Sequence, residues 1–518
     1  MKKVLELSDL YLGNLDAKHE LLGNTEEERF RFETSFLVPE NVNIDNFLAG
    51  RLFYITGLKG TGKTALMRYI GIYAEKSIGA VNSFVLFKTQ FNEDDKKDLA
   101  RAARTTIVEQ EEIPDEQDFE AIWRWFLHRH IVLQIEKNEL NVFERNRDWD
   151  KYVACVTAPN MGDEVSGIRR FFPKVKKGTV EVSAEFHAIQ GKLGLELDFE
   201  DREQKRVKFN PIVRQAEALF EKLIPSDTHL NIFVDELEIS FMTQKSFDRD
   251  ARMVRDLILA VESMNLLFKQ QRANIKIICG VRSEVISSIS TVGKEINKPL
   301  GDFGINIMWN QSGGDITQHP ILKMIVKRLI TSEQHHGIYR DNPEEVWKSW
   351  FPEQVQETDT PKYLLHHTWY RPRDIVRLLN LAQKEYPRKE SFDHQTFDAI
   401  RRQYSIESWV EMTEELRATY RQEEIEVIRR LLYGFKPYFT FGEVKDRVRK
   451  LNVLYDDVQE TIDKLRLNRI LSHLFKIGII GNVLPNGKQR WAYRGDTDLL
   501  LEEKMTVHRA LWNDLGLG

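Results

Sequence analysis

Apolar and polar positions recur with different periods along this chain, and the changes of period divide it into regions. Four short apolar runs, Leu52–Thr56, Phe84–Phe87, Leu230–Val234 and Ile275–Cys279, have the length and continuity of strands buried on both faces. Helical stretches separate them, which predicts crossover connections and a mainly parallel sheet in an α/β core over 51–318. A large α+β insertion at about 90–225 interrupts that core. Its first part, Phe119–Gln134, reads as an aromatic-rich helix. Val180, Val182, Ala184 and Phe186 then alternate with polar residues, as do Leu193, Leu195, Leu197 and Phe199 beyond Gln190-Gly191. That pattern predicts a β-hairpin near 179–200, read as an appended contact surface.

Residues 1–50 read as a mostly helical lead-in. Past residue 318 the period is helical again, with His319-Pro320 and Asn342-Pro343 each placing proline in a first turn, so 319–433 is expected to be helical. From 434 the pattern changes once more. Thr440 and Glu443 form a capping box, and a second helix is expected from about Asp457 to Phe475, with Val458, Ile462, Leu465 and Ile470 on its apolar side. Ile479–Leu484 and Gln489–Arg494 flank an Asn486-Gly487 turn. Helix, helix, hairpin is the order of a winged helix, expected over 434–518 together with a C-terminal helix.

Composition narrows the picture. The 518 residues are 42% hydrophobic and 30% charged, as in a folded chain of several domains. A net charge of −5 gives no global basic field, so any nucleic-acid contact needs a local patch. Cys155 and Cys279 are the only cysteines, too few for a disulfide framework or a cysteine zinc cluster. Acids in the first residues and the lack of a long apolar run point to a cytoplasmic protein without membrane segments.

The chemistry concentrates in Gly57-Leu-Lys-Gly-Thr-Gly-Lys63-Thr64, which meets every fixed position of G-x-x-x-x-G-K-[ST] between an apolar run and a helical one. Glycines let backbone N–H groups curl around a phosphate, and the following helix adds its positive end. Gly57, Gly60, Thr61, Gly62, Lys63, Thr64 and Ala65 are the candidate ATP-binding residues, with Lys63 on the β and γ oxygens and the Thr64 hydroxyl on Mg²⁺. Asp235 and Glu236 end the third apolar run. Asp235 is the second candidate metal residue, and Glu236 the candidate base for the attacking water. Glu238 reads as surface charge. The fourth run continues to Arg282 and Ser283; Arg282 either stabilises transition-state charge or pairs with a surface acid such as Glu284. In Arg371-Pro-Arg373-Asp374, Arg373 either reports on the γ-phosphate from a helical lid or caps a helix together with Asp374. Gln311–Asp315 resembles the signature loop of ABC-type ATPases but follows the Asp-Glu run, so it reads as a turn. His128, His130, His335, His336, His366 and His367 lack metal-ligand spacing and read as structural or surface residues.

Together, Gly57–Thr64, Asp235-Glu236, the run ending in Arg282, the Arg-Pro-Arg-Asp helix start and the terminal winged helix resemble AAA+-type and STAND-type P-loop ATPases. The resemblance is strongest to the branch near origin-recognition and KAP ATPases, and to stand-alone bacterial ATPases often encoded in phage-defence loci. It implies a P-loop NTPase core with an extra strand between the two Walker strands, a helical lid with a sensor arginine at Arg373, and nucleotide-dependent oligomerisation. The chain departs from compact members in the roughly 170 residues between Thr64 and Asp235. KAP relatives commonly carry membrane helices in such insertions, and this sequence has none.

The expected function is an ATP-driven switch coupling hydrolysis to assembly with itself or a separate effector protein, in antiphage defence. The alternative is a DNA-handling ATPase using its winged helix on duplex DNA. Between Lys436 and Arg494 there are twelve Lys or Arg against six Asp or Glu. Asp456, Asp457, Glu460 and Asp463 crowd the start of the expected second helix, so only weak, sequence-independent DNA binding is expected.

Overall fold

The computed structural model describes residues 4–90, 92–97, 100, 119–158, 179–182, 192–193, 206–237, 239, 243–289, 295–310, 316–417 and 419–517. Two compact units are present. One comprises Val42–Lys59 and Leu66–Asn306; the other comprises Met1–Asn41, Gly60–Ala65 and Ile307–Gly518. The strands are β1 Tyr54–Gly57, β2 Val81–Leu86, β3 Thr179–Glu181, β4 Arg206–Lys208, β5 Leu230–Asp235, β6 Ile275–Arg282, β7 Gly304–Asn306, β8 Gln354–Val355, β9 Thr358–Asp359, β10 Tyr438–Phe439, β11 Ile480–Val483, β12 Gln489–Arg490 and β13 Lys504–Val507.

In the first unit β2, β5, β6, β1 and β7 form one sheet in that order, and every neighbouring pair is parallel. All four expected strands are present, shifted or lengthened by one to three residues. Phe87 leaves the sheet to start a helical turn, and the edge strand β7 has no counterpart in the apolar pattern because it is three residues long. Strand β5 is buried along its whole length, as a central strand covered on both faces must be. The helices of this unit are α1 Ile44–Leu48, α2 Lys63–Ile78 (which starts in the other unit), α3 Phe87–Gln90, α4 Glu120–Lys137, α5 Arg147–Thr157, α6 Phe209–Phe220, α7 Gln244–Gln270, α8 Ser283–Ile289 and α9 Asn297–Phe303.

The insertion shares the core of the sheet. Trp123, Trp125 and Phe126 on α4 are buried, and the Trp123 indole donates to the Met253 carbonyl on α7 at 2.9 Å. His128 and His130 are structural: buried, bonded to the Tyr152 hydroxyl at 2.8 Å and the Ser83 hydroxyl at 2.9 Å. The hairpin expectation needs correction. β3 begins where predicted, but its antiparallel partner is β4, and Lys192 and Leu193 are helical. Alternation identified one arm and missed its mate because the pairing skips more than twenty residues. The Gln190-Gly191 turn, Leu195–Phe199, Glu238 and Gln311–Asp315 lie outside the described residues.

The second unit carries α10 Glu26–Ser35, then α11 Pro320–His335, α12 Pro343–Trp350, α13 Thr360–His366, α14 Pro372–Glu385, α15 His394–Leu416, α16 Gln422–Leu432, α17 Phe441–Asn452, α18 Asp457–Leu465 and α19 Leu467–Lys476. The lead-in is less helical than expected. Leu5, Leu7, Leu10 and Leu12 are buried, and the Leu7 amide donates to the Lys389 carbonyl at 2.7 Å. Asn380 bonds the Gly13 carbonyl at 3.0 Å, fixing this segment along α14.

At the other end, β10, β13, β11 and β12 make an antiparallel sheet. The Asn486-Gly487 turn forms as expected, with Gly487 at φ +78°. Two expectations fail here. The chain ends in β13 and a 3₁₀ turn at Arg509–Leu511 rather than a C-terminal helix. The single helix over 457–475 is two helices, broken at Arg466, whose φ is +65°. The apolar spacing slips there: Leu465 to Ile470 is five positions, one more than a helical face allows.

Candidate functional site

Parallel strands expose their C-terminal ends along one edge, where α/β sheets bind ligands. In the sheet unit that edge carries Gly57, Asp235 and Arg282, ending β1, β5 and β6. Strand β6 lies between β1 and β5, in the place the resemblance assigns to an extra strand. Gly57 and Arg282 are register partners, so the arginine stands beside the start of the glycine-rich loop. Asp235 is buried at 5% exposure. Room for it comes from Gly280, where a Cβ would stand 2.9 Å from Asp235 Oδ1 and 2.8 Å from Met67 Cε. Glu236 is held at φ +61°, an uncommon conformation for a residue with a side chain. Its carboxylate accepts the Thr89 hydroxyl at 2.6 Å.

Arg68, one turn beyond Thr64, was not singled out by the sequence. Its guanidinium lies 3.9 Å from the centre of the Phe84 ring. Burial pulls it below its ordinary pKa against the opposing pull of the Asp235 and Glu236 carboxylates. Glu284 accepts the Lys59 amide at 3.1 Å, so the acid considered as a partner for Arg282 is engaged with the loop backbone.

The loop itself has Gly60 at φ +81° and Gly62 at φ +95°, conformations that only glycine adopts freely. Lys59, Thr61 and Lys63 are buried, Thr64 is half-buried, and Ala65 lies in the first turn of α2. Within the second unit two segments hold this loop. Trp309 donates its indole N–H to the Thr61 carbonyl at 2.9 Å. The Arg373 amide donates to the Gly60 carbonyl at 3.3 Å, and a Cβ on Gly60 would sit 3.2 Å from that of Arg373.

The Arg373 guanidinium is turned to other partners, Glu411 at 3.0 Å and the Leu15 carbonyl at 3.1 Å. Glu411 also takes Arg377 at 3.0 Å. Arg371, which sequence reasoning left without a role, is 2% exposed and ion-paired with Glu415 at 2.5 Å. Asp374 is buried beside Arg377 at 3.6 Å and takes the Trp369 amide at 3.4 Å; burial raises its carboxyl above the usual range despite the cations Arg371 and Arg377. Positive spacing alone distinguished neither arginine, because their acidic partners lie some forty residues away on α15.

Within the second unit, a buried lysine, positive-φ glycines and a hydroxyl at the helix start are residue types able to hold a phosphate; in the sheet unit, a buried carboxylate at a strand end is able to hold a cation. Residues 319–412 match the family described as FunZ-associated C-terminal helical domain. The match opens at the residue where the helical region was expected to begin, and spans α11 to most of α15. No curated protein matches the chain. Among the described residues no helix is long and apolar enough to cross a membrane.

Proposed function

We propose that this chain binds and hydrolyses ATP and uses the nucleotide state to control assembly with itself or a partner protein. One observation carries the reading: the Gly57–Thr64 loop leaves a parallel strand separated by one strand from the strand ending in Asp235-Glu236. In this reading the loop amides and Lys63 hold the phosphates, while Thr64 and Asp235 hold Mg²⁺. The ion, when bound, neutralises charge on the phosphate oxygens. Glu236 orients and deprotonates the attacking water, and Arg282 stabilises charge that develops on transfer. The helical region bearing Arg373 is the lid, and the α17–β12 region is the winged helix. The role in bacterial antiphage defence follows from the resemblance. The test is a binding and turnover pair: Lys63→Ala loses nucleotide affinity, and Glu236→Gln binds ATP without hydrolysing it. Wild-type turnover in Glu236→Gln sinks the assignment of the base.

A second reading, a DNA-handling ATPase, is favoured by the break at Arg466. Asp457, Glu460 and Asp463 lie on α18, whereas α19 exposes Asn468, Arg469 and Lys476. The acids expected to repel a DNA backbone therefore belong to a different helix from the basic face.

A further inference from the structure

In the second unit, the end of α13, strands β10, β12 and β13 and the turns after them enclose a small recess. Its polar walls include His366, Arg494, His508 and Arg509, and its ring walls include Tyr438, Trp491 and Trp512. No Asp or Glu lines it. Several other arginines of this unit meet carboxylates, as Arg371 meets Glu415, Arg429 meets Asp514 and Arg490 meets Asp496, while Arg328 and Arg447 meet backbone carbonyls. Among the described residues Arg494 and Arg509 have no such ion pair. Arg494 instead lies 4.9 Å from the centre of the Tyr370 ring, and Arg509 lies 5.8 Å from that of Trp512. Ring faces offset part of the charge but accept no N–H bond of full strength.

The histidines register the same imbalance. Burial, then Arg494 and Arg509, holds His366 down to about 3. Burial, with His367 and Arg494, holds His508 well below its ordinary value. His508 is 1% exposed, and neither its Nε2 nor Arg494 Nε has a hydrogen bond of good geometry, although the Thr368 backbone lies against His508 and the Tyr493 hydroxyl against the Arg494 guanidinium. Buried donors left poorly satisfied are costly, so a recess that brings His508 Nε2 and the Arg494 and Arg509 guanidiniums together without a carboxylate favours an acceptor. The space is about 10 Å³, room for one oxygen atom rather than a whole ligand.

We propose that this recess binds an oxyanion of the phosphate class, one oxygen entering between Arg494 and His508 while the exposed Arg509 holds the rest at the mouth. Occupancy is felt at the glycine-rich loop, because Arg494 touches both segments that hold it. Its carbonyl accepts Asn310, the neighbour of Trp309 on Thr61, and its guanidinium covers Tyr370, three residues before Arg373 on Gly60.

The test is calorimetric titration of the full chain with inorganic phosphate, against sodium chloride at matched ionic strength. It is run in Lys63→Ala so that the loop does not contribute; the site thus stands or falls apart from the ATP reading. Saturable binding is expected, weakened about tenfold or more by Arg509→Gln, the loss of one charge-assisted contact. Arg509 is exposed, so this variant keeps the fold; Arg494→Gln is the companion, checked by its circular dichroism. Absence of saturable binding, or equal affinity in Arg509→Gln, overturns the proposal.

Discussion

The hydroxyl of Thr89 donates to the carboxylate of Glu236 at 2.6 Å, joining the residue three past the end of β2 to the residue just past the end of β5. The two strands are register partners up to Leu86 and Asp235, so the sheet itself delivers this contact. A hydroxyl donated to a carboxylate stabilises its charged form and, on the proposed reading, occupies an oxygen that Glu236 would use to take a proton. Thr89→Val is expected to raise basal ATP turnover by up to about tenfold with unchanged nucleotide affinity. Steady-state kinetics with a separate binding titration check this; a fall in turnover assigns Thr89 to holding Glu236 in its working position.

Lys63→Ala is expected to weaken ATP binding by about two powers of ten, the loss of a charge-assisted contact in a buried setting. Fluorescent-nucleotide titration reads the change. Affinity within a factor of about two of wild type would remove Lys63 from the phosphate site.

Arg373 meets the loop through its backbone and Glu411 through its side chain. On the proposed reading, Arg373→Ala is expected to keep most ATP affinity but to lose the difference in shape or assembly between ATP and ADP states, as read by solution scattering; an unchanged difference returns Arg373 to a helix cap. Gly60→Ala addresses the same contact from the loop side. At φ +81° with Arg373 Cβ 3.2 Å from the new methyl, it is expected to cost about 1–3 kcal/mol in stability.

The Arg371–Glu415 pair is buried on both sides, at 3% side-chain exposure each. Removing one partner leaves a charge without compensation, so Glu415→Gln is expected to destabilise the second unit by about 3–5 kcal/mol. Chemical denaturation followed by circular dichroism measures it. A loss below about 1 kcal/mol would mean that water reaches the guanidinium.

On α19, Arg469→Gln and Lys476→Gln are each expected to flatten the salt dependence of duplex binding by about one unit, without altering sequence preference. Anisotropy titrations across salt concentrations decide it. Unchanged slopes would leave this helix as a protein-contact surface.

What the sequence made legible was whatever is written locally. Continuous apolar runs located β1, β2, β5 and β6, and proline and asparagine marked the starts of α11 and α12. The glycine pattern of the loop is likewise local, since φ at Gly60 and Gly62 is a property of those residues. Thr89 was illegible because its hydroxyl meets Glu236 across the sheet, and Arg68 because the ring it covers, Phe84, and the carboxylates whose field it feels lie on, or just past, strands of the sheet. β13 was missed because Lys504–Val507 is short and acquires its meaning from β11 beside it. The break at Arg466 was legible in principle, through the slipped apolar spacing, but no glycine or proline marks it.

The strand order has a consequence for how the chain comes into being. Tyr54 pairs with Cys279 and with Gly304, and Val81 pairs with Leu230, so β1 and β2 both wait for partners far along the chain, while β5 and β6 pair across a single helix. During synthesis β1 leaves the ribosome early and waits on the order of tens of seconds for β6 to follow. Through that interval the segment that becomes the glycine-rich loop has no sheet to spring from. A nascent chain arrested before about residue 306 lacks an edge strand of the sheet, and an apolar β1 without its neighbours is a ready target for chaperones. The strand from which the glycine-rich loop springs is therefore flanked on both sides only once Gly304–Asn306 has been made.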